Sequence, residues 1–207
     1  MKPIPTTILL AIIFFLLNAC KTLKTSEAQP KMTTTDLIVF QDGKETVVHK
    51  PVETVKIGKK EFSLRFYNKR YDPENIILHT ARIAAFKDPL QLDKVNVGMS
   101  MSDVPYFSGG TGLAANSNIG YDKLRLRNDA HHYTYYTNED RKRLNLLEEN
   151  GELLKLEFDI PALYYNDTDY KMSDPQLKAF YIAFLIDRNL NGIIDKGELK
   201  KLTLKYK

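Results

Sequence analysis

The sequence predicts a mainly β protein, with an antiparallel β-sandwich-like domain over residues 36–207. Three observations carry this. Twelve Tyr and ten Phe, with no Trp, stand among many Val, Ile and Thr, a mix that suits pleated, half-buried surfaces better than helices. Short runs alternate apolar and polar residues, most clearly Leu154-Lys-Leu-Glu-Phe-Asp-Ile160. Gly, Asn and Pro recur between these runs, as turns between short strands require. Hydrophobic residues make up 43% of the chain, enough for a domain of this size to close a core without staples. The single Cys excludes an internal disulfide.

The first twenty residues read MKPIPTTILLAIIFFLLNAC. Lys2 supplies a short positive start, and Ile8 to Leu17 is an unbroken apolar run. It is short for a bilayer span and suits a signal-peptide core. The run ends at Leu17, and Asn18, Ala19 and Cys20 follow, with the Cys at its polar edge. This resembles the bacterial lipoprotein signal, with Leu at −3, a small residue at −1 and Cys at +1. The resemblance implies cleavage after residue 19 and lipid on the Cys20 sulfur. Two or three acyl chains hold a protein on a membrane where one does not, at roughly 0.8 kcal/mol per buried CH₂. Lys21 stands where an Asp resembles an inner-membrane retention signal, so the expected location is the outer membrane of a bacterial envelope. Residues 20–35 carry the lipidated cysteine and a polar, Thr- and Lys-rich stretch, read as a flexible tether.

Asp36 to Val48 is expected as a first, loosely held strand. Val52–Ile57 and Glu61–Phe66 flank Gly58-Lys59-Lys60 and read as a hairpin. Asn75 to Phe86 suits strand or short helix, with strand preferred. Val95–Met101 is a further strand candidate. Residues 102–120 form a Gly/Ser/Asn loop, followed by strands at Tyr121–Arg127 and His131–Tyr136. Residues 138–150 have helix-forming composition, yet Asn150-Gly151 is a hairpin signal between Leu-rich arms. The hairpin over 143–160 is preferred, with the helix left open. Pro161 belongs at a strand end.

Residues 187–198 read Asp-Arg-Asn-Leu-Asn-Gly-Ile-Ile-Asp-Lys-Gly-Glu. Oxygen-bearing residues alternate around a glycine, as a curled loop needs if it is to point several oxygens at one hard cation. The run resembles the EF-hand calcium loop. The resemblance implies ligands from Asp187, Asn189, Asn191, the Ile193 carbonyl, Asp195 and Glu198, with Gly192 at the turn, Ile194 as the apolar anchor and Ca²⁺ as the ion. It covers twelve residues only. Ala179–Ile186 reads as a buried strand, and Leu202, Leu204 and Tyr206 alternate after the loop. The expectation is therefore strand–loop–strand, with one helical turn at Gly197–Lys201. The competing reading is a polar hairpin turn in which Asn and Gly serve backbone geometry alone.

Net charge is +4, spread without a dense Lys/Arg run, which argues against a nucleic-acid partner. Ser108-Gly-Gly-Thr-Gly112 lacks the Lys-Ser/Thr of a phosphate loop. His131 and His132 are adjacent, so in a strand they face opposite ways. Tyr133, Tyr135, Tyr136, Tyr164 and Tyr165 suit core and edge packing before a glycan surface. Asp167, Asp169 and Asp174 show no catalytic spacing, and no catalytic residue is assigned. The expected function is that of a membrane-anchored envelope lipoprotein, a calcium-stabilised β-domain binding a protein or glycan partner. The alternative is a secreted, calcium-supported hydrolase of polysaccharide or peptide.

Overall fold

The computed structural model describes residues 36–69, 81–103, 124–127 and 144–207. The leader, Cys20 and the tether lie outside them. So do residues 108–112, His131, His132, Tyr133, Tyr135 and Tyr136, and the part of 138–150 before Leu144.

The described chain is built from strands. The first two, β1 (Leu37–Gln41) and β2 (Lys44–Val48), form a hairpin rather than the single strand expected. Asp42 and Gly43 both take positive φ, 52° and 73°, which is the type I′ geometry that a two-residue connection favours. β3 (Val52–Ile57) and β4 (Phe62–Lys69) do not form the expected hairpin. They lie in different sheets, and residues 58–61 turn the corner between them. The Gln41 side chain holds that corner. Its Nε2 donates to the carbonyls of Gly58, Lys60 and Glu61, and its Oε1 accepts from the Gly58 N–H at 2.6 Å.

β5 (Ala81–Phe86) is the strand expected at the end of the 75–86 stretch. A short helix, α1 (Pro89–Asp93), follows. Asp88 caps it by accepting from the Leu90 N–H, and Pro89 fills its first turn. Val95–Met101 is not a strand. Asn96 caps the helix end through the Asp93 carbonyl, and Gly98 turns the chain at φ 90°. Only Ser100 makes an isolated bridge there, to Ile193.

β6 (Arg125–Arg127) is three residues long. β7 (Leu144–Asn150) and β8 (Leu153–Ile160) form the preferred hairpin. Its turn is one residue later than read, at Gly151-Glu152, because Asn150 pairs with Leu153. Gly151 has φ 61° while Glu152 has no positive φ, the pattern of a type II′ turn. Pro161 separates β8 from β9 (Ala162–Tyr165), and β10 (Thr168–Lys171) returns through Asn166 and Asp167, both at positive φ. The chain closes with β11 (Ala179–Ile186) and β12 (Leu199–Tyr206).

These strands make a five-stranded sheet in the order β2-β1-β4-β8-β7, a four-stranded sheet in the order β3-β12-β11-β5, and a smaller one, β10-β9-β6. The pairing is antiparallel, with β3 parallel to β12 as the exception among the described ladders. The two larger sheets bury their facing sides against each other. Phe66 meets Phe184 at 4.9 Å between ring centroids, and Phe62 meets Phe180 at 6.2 Å. Alternation explains the facing: Phe62, Leu64 and Phe66 point inward, while Ser63 and Arg65 lie on the polar side. On that side Arg65 donates to Glu157 and Glu45, and its guanidinium lies over the Phe40 ring.

β11 is buried on both sides. Phe180, Ile182, Phe184 and Ile186 enter the main core. Ala183 and Leu185 enter a second, smaller core with Ala84, Phe86, Leu92, Val95, Ile194 and Leu199. That second core lies beneath the 187–198 loop. Among the described residues no helix is long and apolar enough to cross a membrane.

Candidate metal centre

The loop runs directly from β11 to β12 as strand–loop–strand. The helical turn expected at Gly197–Lys201 is absent. A hydrogen-bonded turn closes at Glu198, whose N–H reaches the Asp195 carbonyl at 3.2 Å, and β12 starts at Leu199. Register explains this: Leu199 already pairs with Leu185, so the ladder takes up the backbone that a helix would need.

The loop curls because its side chains bind its own backbone. Asn189 Oδ1 accepts from the Asn191 N–H at 3.2 Å, and Asn191 Oδ1 accepts from the Ile193 N–H at 2.7 Å. These are two successive side-chain-mimicked turns. Asp187 Oδ2 accepts from the Gly192 N–H at 3.0 Å. Gly192 has φ 73°, a conformation that costs other residues about 1–2 kcal/mol. Leu190 also takes positive φ and is exposed.

Glu198 closes the loop from both sides. Its Oε1 accepts from the Arg188 N–H at 2.7 Å and its Oε2 from the Asp195 N–H at 3.0 Å. Asp195 Oδ2 receives the amide nitrogens of Asn189 and Asn191 at 2.8 and 2.9 Å. Ile194 is fully buried in the second core, and its backbone exchanges bonds with Gly98 and Met99. Met101 donates to the Gly192 carbonyl. Residues 98–101 thus brace the loop's second half.

The structure brings Asp187, Asn189, Asn191, Ile193, Asp195 and Glu198 into this one hydrogen-bonded loop. Asp187 and Glu198 are each only 6% exposed. Asp187 Oδ1 is buried and has no hydrogen-bond partner. A carboxylate oxygen in that position is costly unless a donor or a cation satisfies it. The remaining donors suit a hard cation. They are carboxylate and amide oxygens without sulfur or imidazole. Each Asn oxygen and each Glu198 oxygen accepts one N–H in the bonds above, which leaves lone-pair capacity. Among the described residues no three His, Cys, Asp or Glu side chains form a ready metal cluster. The loop's oxygens are engaged with its own N–H groups instead.

Two cationic residues near the loop escaped the sequence reading. Arg82 of β5 lies opposite Leu185. Burial lowers its pKa, and the charge of Asp187 opposes that shift. Its signal was legible: it is the one Lys, Arg, Asp or Glu in the run from Asn75 to Phe86. Lys200 of β12 is 5% exposed, and its Nζ donates to the carbonyls of Val48 and His49 at 3.1 and 2.7 Å. Burial lowers its pKa too, against the charges of Asp36 and Glu53. It ties β12 to the end of β2, and no local pattern announced it.

Those of the weaker candidates that lie among the described residues are packing and surface groups. Tyr165 is buried, stacks on Tyr170 at 4.3 Å and donates to the Pro175 carbonyl. Tyr164 is half-buried, and Asp167, Asp169 and Asp174 are exposed. No known protein family matches the chain, and no curated protein matches it.

Proposed function

We propose that this chain is an exported lipoprotein, held on the bacterial envelope through lipid on Cys20. Its β-domain is a non-enzymatic binding module for an envelope protein or glycan, with a Ca²⁺ ion pinning β11 to β12. The observation that carries this reading is the 187–198 loop, where a buried Asp187 oxygen lacks a hydrogen-bond partner in a segment rich in oxygen-bearing side chains. Asp187, Asn189, Asn191, the Ile193 carbonyl, Asp195 and Glu198 would hold the ion. The ion would supply charge neutralisation and cross-linking of the loop. Asp195 releases the two Asn amides when it turns to the cation, which lowers the net gain. Three carboxylates and two amides suggest a dissociation constant on the order of 10⁻⁴ to 10⁻³ M, as in extracellular modules.

The test is thermal melting of the full chain in mild detergent, with calcium and with chelator. Calcium at about a hundred times the dissociation constant adds about 2.7 kcal/mol of stability to the wild type. Asp187→Ala and Glu198→Ala lose that increment. A melting temperature indifferent to calcium in the wild type sinks the cation reading. Labelling with a palmitate analogue, lost in Cys20→Ser, tests the anchor. A pulldown from solubilised envelope, with and without chelator, tests the partner.

A further inference from the structure

Arg82 shares the second-core side of its sheet with the face that leads to Asp187. It pairs with Leu185 in the antiparallel ladder, and paired residues point to the same side. Leu185 belongs to the second core with Ala84 and Phe86, the next residues along Arg82's own face. Asp187 follows Leu185 by two residues, so it continues that side just past the strand end. A diagonal neighbour of this kind is about 7–8 Å away, within reach of a long side chain.

Two buried polar atoms there lack a hydrogen-bond partner: Arg82 Nε and Asp187 Oδ1. One is a donor on a cation, the other an acceptor on an anion. Arg82 Nη1 meanwhile donates to the carbonyl of its neighbour Ala81 at 3.2 Å. The Arg82 charge is felt at Asp187, and its buried Nε–H is left unspent.

We propose that Arg82 is the built-in counter-charge of Asp187, and that a divalent cation competes with it for that carboxylate. This rests on the reading of the loop as a cation site. Without the ion, the guanidinium keeps Asp187 from being a lone buried anion, and the loop stays folded. With the ion, two positive centres face one carboxylate, and affinity is held down. Arg82 is a tuning residue and not a ligand.

The experiment is calorimetric titration of Ca²⁺ into the full chain in mild detergent, as wild type, Arg82→Met, Arg82→Gln and Arg82→Lys. Removing the like charge strengthens binding at least about tenfold in Arg82→Met and Arg82→Gln, while Arg82→Lys stays near the wild type. Arg82→Gln keeps a polar group, so the test survives if Arg82→Met fails to fold. A double-mutant cycle of Arg82→Gln with Asp187→Asn, melted in chelator, reads the pair without any ion. Non-additive losses support the pairing. Calcium uptake by the wild type with unchanged or weaker uptake by both neutral variants overturns the role of Arg82 alone. Additive losses in the cycle do the same. No uptake by any variant overturns the cation reading and the competition with it.

Discussion

Glu198 binds the backbone at Arg188 and at Asp195, so one side chain spans the two halves of its loop. That makes the loop a small folded unit before any ion is considered. Gly192 lies at its tightest point, where an added Cβ would meet nothing within 4 Å. Substitution there is therefore a question of backbone strain alone. Gly192→Ala should cost about 1–2 kcal/mol in urea melts, with or without calcium. A larger loss in calcium than in chelator would show that strain also disturbs ligation. At this scale the sequence was most informative. Each Asx turn involves residues two apart, so Asn189, Asn191 and Gly192 could be read from spacing. Arg82 and Lys200 could not be placed from spacing, because their partners come from other strands.

The elements divide by how local their causes are. The β7–β8 hairpin was legible from its turn and its alternating arms, although the turn slid by one residue. Asp42-Gly43 and the Asp88-Pro89 cap carried equally local signals and were passed over. The β3–β4 connection is different. Alternation in both strands was real, but it faces a shared core from two sheets, so a corner and a hairpin give the same pattern. What decides is Gln41, seventeen residues before Gly58 in the chain. Gln41→Ala removes its bonds to three carbonyls and one N–H of the corner. The expected loss is about 1–2 kcal/mol, since the site is partly open to water. Hydrogen exchange should show faster exchange at the Gly58 amide. Unchanged protection there would mean that the corner is held by packing alone.

For the whole molecule, the sandwich follows from apolar strand faces that have no other place to go. The same closure buries hydroxyl groups, and this gives stability a pH dependence. Burial raises the pKa of Tyr206 well above its ordinary value and raises that of Tyr165 as well. Tyr206 lies against Phe180 and Met172, and Tyr165 donates to Pro175. In the unfolded chain these phenols ionise near pH 10, while the folded chain keeps them neutral. Their contribution is therefore complete below pH 10 and falls as pH rises above it. Lys200, with its lowered pKa, acts in the opposite sense between its folded value and its ordinary 10.5. Urea melts from about pH 9 to about pH 12 should show a steep alkaline decline that Tyr206→Phe makes shallower. An identical slope in that variant would remove Tyr206 as a cause.

The oxygens gathered between β11 and β12 are proposed to take up a divalent ion. Amide NMR during a calcium titration tests this residue by residue. The prediction is saturable shifts at Gly192, Ile193, Asp195 and Glu198, with slower hydrogen exchange along β11 and β12. Spectra that superimpose with and without calcium, or shifts scattered over the surface without saturation, would contradict it.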